Sequence, residues 1–371
     1  MNLEPRGTDP RSTILEPRGA SPRSTNLDPR GAGPRSKATA LPRIHLICVS
    51  STLGGQGRNS LDGTHYGRAS SGKPSLTPSD LIERVPELGR FADVRADLDL
   101  ASREHPNVFH QWPELVARVN ALGADPAVDG IVITHGTNVL EETAYFLHLA
   151  VKHDKPVVLC GAQRPFTHLS TDGPLNLVSA VRTAAEPEAA GKGVLVVLND
   201  EIQCAREVTK TNTYRVETFQ SNGLGFLGFV DPDRVVLYRA PLRPHTAATP
   251  FHLGAKDAFP RVDILYGYAG DDGALVDAAV GLGAAGLVIA GVGAGSVGGM
   301  KDALKAARDK GVVVVRSSRL GSGRVVPDDH YTEPGFVSAD NLNPQKARIL
   351  LALALPLTRD PAEMQRIFDT Y

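Results

Sequence analysis

The chain is poor in cysteine and in aromatic side chains: of 371 residues, three are Cys, one is Trp and 5% are Phe, Trp or Tyr. Cys48, Cys160 and Cys204 lie far apart and form no C-x-x-C pair, so nothing in their spacing asks for an oxidising compartment. Cys48 and Cys160 fall inside apolar runs, where a free thiol is ordinarily buried. Neither sign of charge is in excess, with a formal net charge of −1. A basic footprint that would draw nucleic acid or an acidic membrane surface is therefore missing. No apolar run reaches the ~18–20 residues of a membrane span, and the N-terminal stretch lacks the continuous ~7–15-residue apolar core of a secretory signal. The expectation is a soluble globular protein of the cytoplasm, with no nucleic-acid or membrane partner.

What is present begins with a repeat. Leu3, Leu15 and Leu27 each open a copy of one twelve-residue unit: LEPRGTDPRSTI, LEPRGASPRSTN and LDPRGAGPRSKA. Each copy has one leucine and no aromatic residue, too little apolar surface to offset the entropy of ordering the chain. Solenoid units usually need ~20 or more residues to build a layer. Residues 1–40 therefore read as a disordered Pro/Arg/Gly-rich tail.

Folded sequence begins near Leu41. Short apolar runs follow at Ile44–Val49, Val94–Leu100, Gly130–Thr134, Pro156–Gly161 and Gly193–Asn199. Helical patterns stand between them, near Trp112–Leu122, Leu140–Lys152 and Pro174–Ala185. Such alternation means βαβ units and a parallel sheet covered on both faces. Beyond about residue 236, Pro241, Pro244 and Pro250 mark a connection. A second series then runs through Val262–Tyr268, Ala285–Gly291 and Gly311–Ser317, closed by helices near Asn343–Leu355 and Pro361–Phe368. The reading is α/β throughout: a first domain over 41–238, a linker over 239–260 and a second domain over 261–371.

In open parallel sheets, ligands bind beyond the carboxyl ends of the strands. The stretch GIVITHGTNVLEETA (130–144) ends a strand in Thr134–Asn138 just before a helix whose free N–H groups suit a carboxylate or an oxyanion. The plainer alternative makes Thr137 or Asn138 an N-cap, with Glu141 completing a capping box after Asn138. Thr52 follows the first strand and leads into Leu53, Gly54 and Gly55. It is either a turn residue or a nucleophile, which needs its proton taken and its oxyanion held. Lys210, between Thr209 and Thr211, is a solvated surface group on one reading. Buried near hydroxyls, it would lose its proton and serve as a general base.

Several long blocks join these signals. GIVITHGTNVLEETAYFL, KPVVLCGAQRPFTHLSTDGPLNLVSAV (155–181), GVLVVLNDEIQCAREVTKTNT (193–213), VVVVRSSR (312–319) and NLNPQKARILLALAL (341–355) resemble, in order, the conserved blocks of the bacterial-type L-asparaginases, the asparaginase–glutaminase family. The resemblance spans about Leu41 to Tyr371. It implies a larger N-terminal flavodoxin/Rossmann-like domain and a smaller C-terminal α/β domain. It also implies a homotetramer built as a dimer of dimers, with each site completed by a neighbouring subunit. The implied reaction is hydrolysis of L-asparagine, with L-glutamine as a second amide, through an acyl-threonine ester, without metal or cofactor. Carried over by position, Thr52 is the nucleophile, Thr137 and Lys210 the pair that activates attack, and Tyr66 the candidate loop tyrosine. Ser102 would hold the substrate α-carboxylate. Asn138 and backbone groups near Thr52, Thr137 and Ala162 would bind the rest.

The departures from the family pattern fall on the site. Val49, Ser50 and Ser51 replace the family's Thr-Gly-Gly before the nucleophile, losing two glycines that permit unusual backbone angles. Asn138 stands where the family has an aspartate that binds the substrate ammonium, and Ala294 where it has an asparagine. An ungapped register back from DLIERVPEL puts Ser71, not Tyr66, at the loop tyrosine. The segment Leu320–Tyr331 lacks the glutamate that would reach a neighbour's ligand, leaving Asp328 or Asp329 as substitutes. Weakened or altered recognition of asparagine is the consequence expected. Two rival readings follow: a catalytically silent family member that binds an amino acid, and an NADP-dependent oxidoreductase. The latter rests on Gly293-x-Gly295-x-x-Gly298, with Arg316 and Arg319 ending the next strand.

Overall fold

The computed structural model describes residues 40–49, 52–101, 108–254 and 256–371. The repeat tail, Ser50, Ser51 and the carboxylate-binding candidate Ser102 lie outside the described residues. The first part of the chain runs β1 (Arg43–Cys48), α1 (Arg68–Ser71), α2 (Pro78–Arg84), β2 (Asp93–Asp99), α3 (Trp112–Ala124), β3 (Gly130–Thr134), α4 (Leu140–Ala150), β4 (Val157–Cys160), α5 (Gly173–Ala184) and β5 (Val194–Leu198). It continues with β6 (Glu201–Cys204), β7 (Thr209–Lys210), β8 (Phe219–Gln220), β9 (Gly228–Val230) and β10 (Val235–Leu237). The second part runs β11 (Val262–Tyr266), α6 (Ala274–Gly281), β12 (Gly286–Gly291), α7 (Lys301–Asp309), β13 (Val313–Ser318), α8 (Asp329–Thr332), β14 (Val337–Ser338), α9 (Pro344–Ala354) and α10 (Pro361–Thr370).

The larger sheet has the order β10-β9-β6-β5-β4-β3-β1-β2. Its strands are parallel from β2 through β5, and β6, β9 and β10 add on antiparallel. The parallel part is the doubly wound order 2-1-3-4-5, in which the chain changes direction of winding between β1 and β3. A crevice forms at that switch point because the connections leave on opposite faces. The smaller sheet, β11-β12-β13-β14, is parallel throughout, and β7 pairs with β8 in a separate two-stranded ribbon.

The central strands are unbroken apolar runs because both faces are covered. Alternate residues divide between two cores. Ile47, Ile133, Leu159 and Val196 pack with α3 and α4, whereas Leu46, Val132, Val158 and Leu195 pack with α2 and α5. The first core does not stop at the sheet. It continues through Leu350, Leu351 and Leu353 of α9 to Val288 of β12 and Val315 of β13. Truncating a buried leucine here, such as Leu350, removes packing worth about 2–5 kcal/mol. All three cysteines are buried and free, and burial pushes the Cys48 thiol up to about 12. Among the described residues no helix is long and apolar enough to cross a membrane.

Candidate active site

The exits of β3 and β4 are packed backbone to backbone: the His135 N–H donates to the Cys160 carbonyl at 2.8 Å. Only glycine fits at 161, since a Cβ there would lie 2.8 Å from the His135 carbonyl oxygen and 3.1 Å from Thr137 Cγ2. This close approach holds Thr137 at the carboxyl end of β3, where it is buried, at 5% exposure.

The capping box expected here does not form. The N-cap position of α4 is Val139, without a side-chain hydrogen bond, and Asn138 is exposed. Glu141 turns inward instead and is buried. Its Oε2 accepts the Lys210 backbone N–H at 2.6 Å, while its Oε1 accepts Gln345 Nε2 at 2.7 Å and Asn343 Nδ2 at 3.4 Å. Donors from β7 and α9 outcompete the local backbone because Glu141 lies on the buried face of α4, next to both.

Lys210 is not a solvated surface group. Its Nζ donates to Thr137 Oγ1 at 2.8 Å. Burial pushes the ammonium below the ordinary lysine value, and the Glu141 carboxylate works against that shift. A lysine with a lowered proton affinity, bonded to a threonine hydroxyl, can exchange a proton with it at modest cost.

Thr52 lies at the exit of the neighbouring strand. The Val49 N–H donates to the Thr134 carbonyl at 2.8 Å and ties the two strand ends together. Thr52 is buried, and its Oγ1 donates to the Tyr66 hydroxyl at 3.2 Å. Tyr66 reaches it because Gly57 and Tyr66 form an antiparallel bridge and residue 55 is glycine. A Cβ at Gly55 would sit 2.8 Å from Tyr66 Cδ2 and 2.9 Å from the Thr52 carbonyl oxygen. Ser71, the other candidate for the loop position, donates its Oγ to the Gly67 carbonyl at 3.0 Å. The loop itself is anchored: Phe166 N–H donates to the Gly55 carbonyl and Leu169 N–H to the Ser60 carbonyl, each at 2.8 Å.

Ala162 is fully buried just beyond β4. A Cβ on Gly173 would meet both Leu53 Cγ at 3.3 Å and Ala162 Cβ at 3.5 Å, so the residue after Thr52 and Ala162 flank the same glycine. The turn carrying Ala162 is shaped by Asp172, which accepts Gln163 N–H at 2.9 Å, Arg164 N–H at 3.0 Å and Asn176 Nδ2 at 3.1 Å. Asn176 also donates to the Gly161 carbonyl at 3.0 Å. Thr52, Tyr66, Thr137, Lys210 and Ala162 thus gather around the ends of β1, β3 and β4. Nothing in the sequence marks Glu141, Asp172, Asn176, Asn343 and Gln345 as site residues beyond their being polar side chains inside otherwise apolar or loop-forming blocks.

A cavity of about 320 Å³ opens beside this cluster, lined by Thr209, Tyr266, Ser318, Arg319, Asn343 and Gln345 among others. Thr52, Thr137 and Lys210 do not line it. Strand topology and hydrogen bonding, rather than an enclosed volume, bring the reactive groups together.

Two further positions of departure from the family pattern, Ala294 and Asp328, lie on other elements. Ala294 is exposed in the turn after β12, and Asp328 caps the short helix α8 by accepting the His330 N–H at 2.9 Å. Both arginines of the dinucleotide reading hold backbone carbonyls of the turns beside them. Arg316 is buried, donates to the Gly295 carbonyl at 3.1 Å and lies 3.6 Å from the centre of the Tyr331 ring, while Arg319 donates to the Gly267 carbonyl at 3.1 Å. Gly293, Gly295 and Gly298 all have positive φ, as a tight strand-to-helix turn requires.

Residues 43–243 match the family model described as Asparaginase, N-terminal, and residues 261–368 match the Glutaminase/Asparaginase C-terminal domain. L-asparaginase 2 of Bacillus subtilis (strain 168) is 45% identical over 342 residues, covering 91% of this chain and 88% of that protein. L-asparaginase 2 of Escherichia coli (strain K12) is 42% identical over 340 residues, covering 90% and 94%. The crystal structure of a probable cytoplasmic L-asparaginase from Campylobacter jejuni superposes with a TM-score of 0.83 at 40% identity, covering 89% of this chain and 100% of that one. With both family models matched in order, and with the doubly wound sheet and its smaller parallel partner in place, the chain belongs to the asparaginase family.

Proposed function

We propose that the protein is an L-asparaginase, which hydrolyses L-asparagine to L-aspartate and ammonia, with L-glutamine as a second candidate amide. The observation that carries this reading is the 2.8 Å bond from Lys210 Nζ to Thr137 Oγ1, set beside the Thr52–Tyr66 hydroxyl pair at the β1/β3 switch point. In the proposed course Thr52 Oγ attacks the carboxamide carbon. The C–N bond breaks, the threonine proton leaves with the departing ammonia, and an acyl-threonine ester remains. Water then adds to the ester, with its proton drawn through Thr137 toward the neutral Lys210 amine, and Thr52 regains its proton as aspartate is released. Backbone N–H groups around Thr137 and Ala162 are suited to the developing oxyanion. Asn138 would contact the substrate amine, and Ser102 its α-carboxylate.

Family membership supports three finer readings. Residues 41–238 are proposed to supply the chemistry, and residues 261–371 to complete a neighbour's site within a homotetramer of paired dimers; light scattering of the purified chain tests the assembly. Relatives described as probable cytoplasmic in Campylobacter jejuni and probable periplasmic in Haemophilus influenzae both exist. We favour the cytoplasm, which cell fractionation tests. For the reaction itself, ammonia release from asparagine and glutamine is measured for the native protein and for Thr52→Ala. Loss of at least ~10³-fold is expected when the nucleophile is removed. Unchanged release in Thr52→Ala, or none from the native protein, overturns the proposal.

A further inference from the structure

Helix α4 is almost entirely buried, and most of its inward side chains are apolar. A carboxylate at 5% exposure in such a helix is stable only where donors replace the water it has lost. Glu141 has three such donors on two other elements: the backbone N–H of Lys210 in β7, and the side-chain amides of Asn343 and Gln345 at the start of α9. Asn343 is the N-cap of α9, accepting the Lys346 N–H at 3.0 Å, and its amide also donates to Thr209 Oγ1 at 3.4 Å. One carboxylate therefore joins the helix that follows Thr137, the ribbon that carries Lys210 and the helix that packs on both α4 and the smaller sheet.

We propose that Glu141 is a positioning residue for the hydrolysis: by holding the Lys210 backbone to α4 and to α9, it sets the alignment and charge of the Lys210–Thr137 pair. The inference rests on the reading of Lys210 as the group that takes up the proton. The charged neighbours are few. Lys210 faces Glu141 from β7 and Lys346 from α9, and the carboxylate favours the protonated form of each against burial. Glu142, the next residue of α4, feels Glu141 as a like charge and Arg348 of α9 as an opposite one.

The test compares Glu141→Gln, Glu141→Asp, Gln345→Ala and Lys210→Ala in the full chain. Each is followed by pH–rate profiles for asparagine and by thermal melting read from the single tryptophan, Trp112. Glu141→Gln keeps the size but not the charge. It is expected to lower kcat ~10–100-fold with little change in KM, and to move the acid limb of kcat/KM to lower pH because the lysine loses its stabilising anion. Glu141→Asp keeps the charge but is one methylene short, so kcat falls while the limb stays near its native position. Gln345→Ala cuts the shorter of the two ties to α9 and leaves the Asn343 amide in place, and a kcat loss of ~3–10-fold with an unmoved limb is expected. If Glu141→Gln fails to fold, the aspartate and Gln345 variants carry the test. For Glu141→Gln, a native profile or a kcat loss without any limb movement overturns the inference, as does native kcat in Gln345→Ala. Full activity in Lys210→Ala overturns the lysine reading and this inference together. An inactive Lys210→Ala beside a native Glu141→Gln refutes the role of Glu141 alone.

Discussion

Thr137 and Asn138 are neighbours in the chain and opposites in the structure. Thr137 is buried against Lys210, whereas Asn138 is exposed at the mouth of α4. The same contrast divides the whole site. The groups proposed to break the amide are buried (Thr52 and Thr137) or half-buried (Tyr66 and Lys210), bonded in pairs and seated near strand ends. The position proposed to meet the substrate amine, Asn138, is exposed, and so are Ala294 in the turn after β12 and Asp328 and Asp329 at the start of α8, the other positions expected to depart from the family pattern. Buried groups that hold each other cannot be exchanged singly without leaving an unpaired partner behind. Exposed side chains such as that of Asn138 carry no such constraint.

The largest effect should come from the buried half. Lys210→Ala is expected to lower kcat/KM for asparagine ~10²–10⁴-fold, the usual contribution of a positioned base. In the native protein kcat/KM should rise with pH as Lys210 loses its proton. Because burial lowers the lysine's proton affinity, the midpoint should lie below the ordinary lysine value. A profile without that limb would remove the lysine from the mechanism.

How much of this was legible depends on whether a contact is local. Gly130–Thr134, Val157–Cys160 and Val194–Leu198 read as strands directly, because burial on both faces leaves unbroken apolar runs. The placement of Thr52 and Thr137 at strand ends follows from the same pattern. Lys210 is different. Its spacing alone fitted a surface group, and only the family resemblance pointed to a partner 73 positions earlier. Glu141 is hidden for the opposite reason: Asn138 and Glu141 have the spacing of a capping box, which is a local rule. The donors that claim the carboxylate come from 69 and 204 positions away. No periodicity within α4 records them.

The exposed half should respond more weakly and in the other direction. Asn138→Asp restores a negative charge where the substrate ammonium is proposed to sit. A charge-assisted hydrogen bond is worth about 1.5–3 kcal/mol, so KM for asparagine should fall ~10–100-fold with a smaller change in kcat. Amides lacking the α-amino group should gain nothing. If the native protein already prefers the free α-amine as strongly as the variant does, the recognition half is intact and the division between the two halves is wrong.

The smallest expected effect tests where the two halves meet. The loop after β1 is where the ungapped register and the geometry disagree, pointing to Ser71 and to Tyr66 respectively. The Thr52–Tyr66 bond is neutral, 3.2 Å long and only partly buried, so its net worth is about 0.5–1.5 kcal/mol. Tyr66→Phe keeps the ring that packs against Gly55 and removes only the hydroxyl. It should lower kcat up to ~10-fold and leave KM and the melting temperature nearly unchanged. Ser71→Ala removes a hydroxyl bonded within its own turn and should leave kcat within ~2-fold, as surface changes usually do. The reverse result, a slow Ser71→Ala beside a native Tyr66→Phe, would mean that the ungapped register is the functional one. Thr52 would then need another partner for its proton.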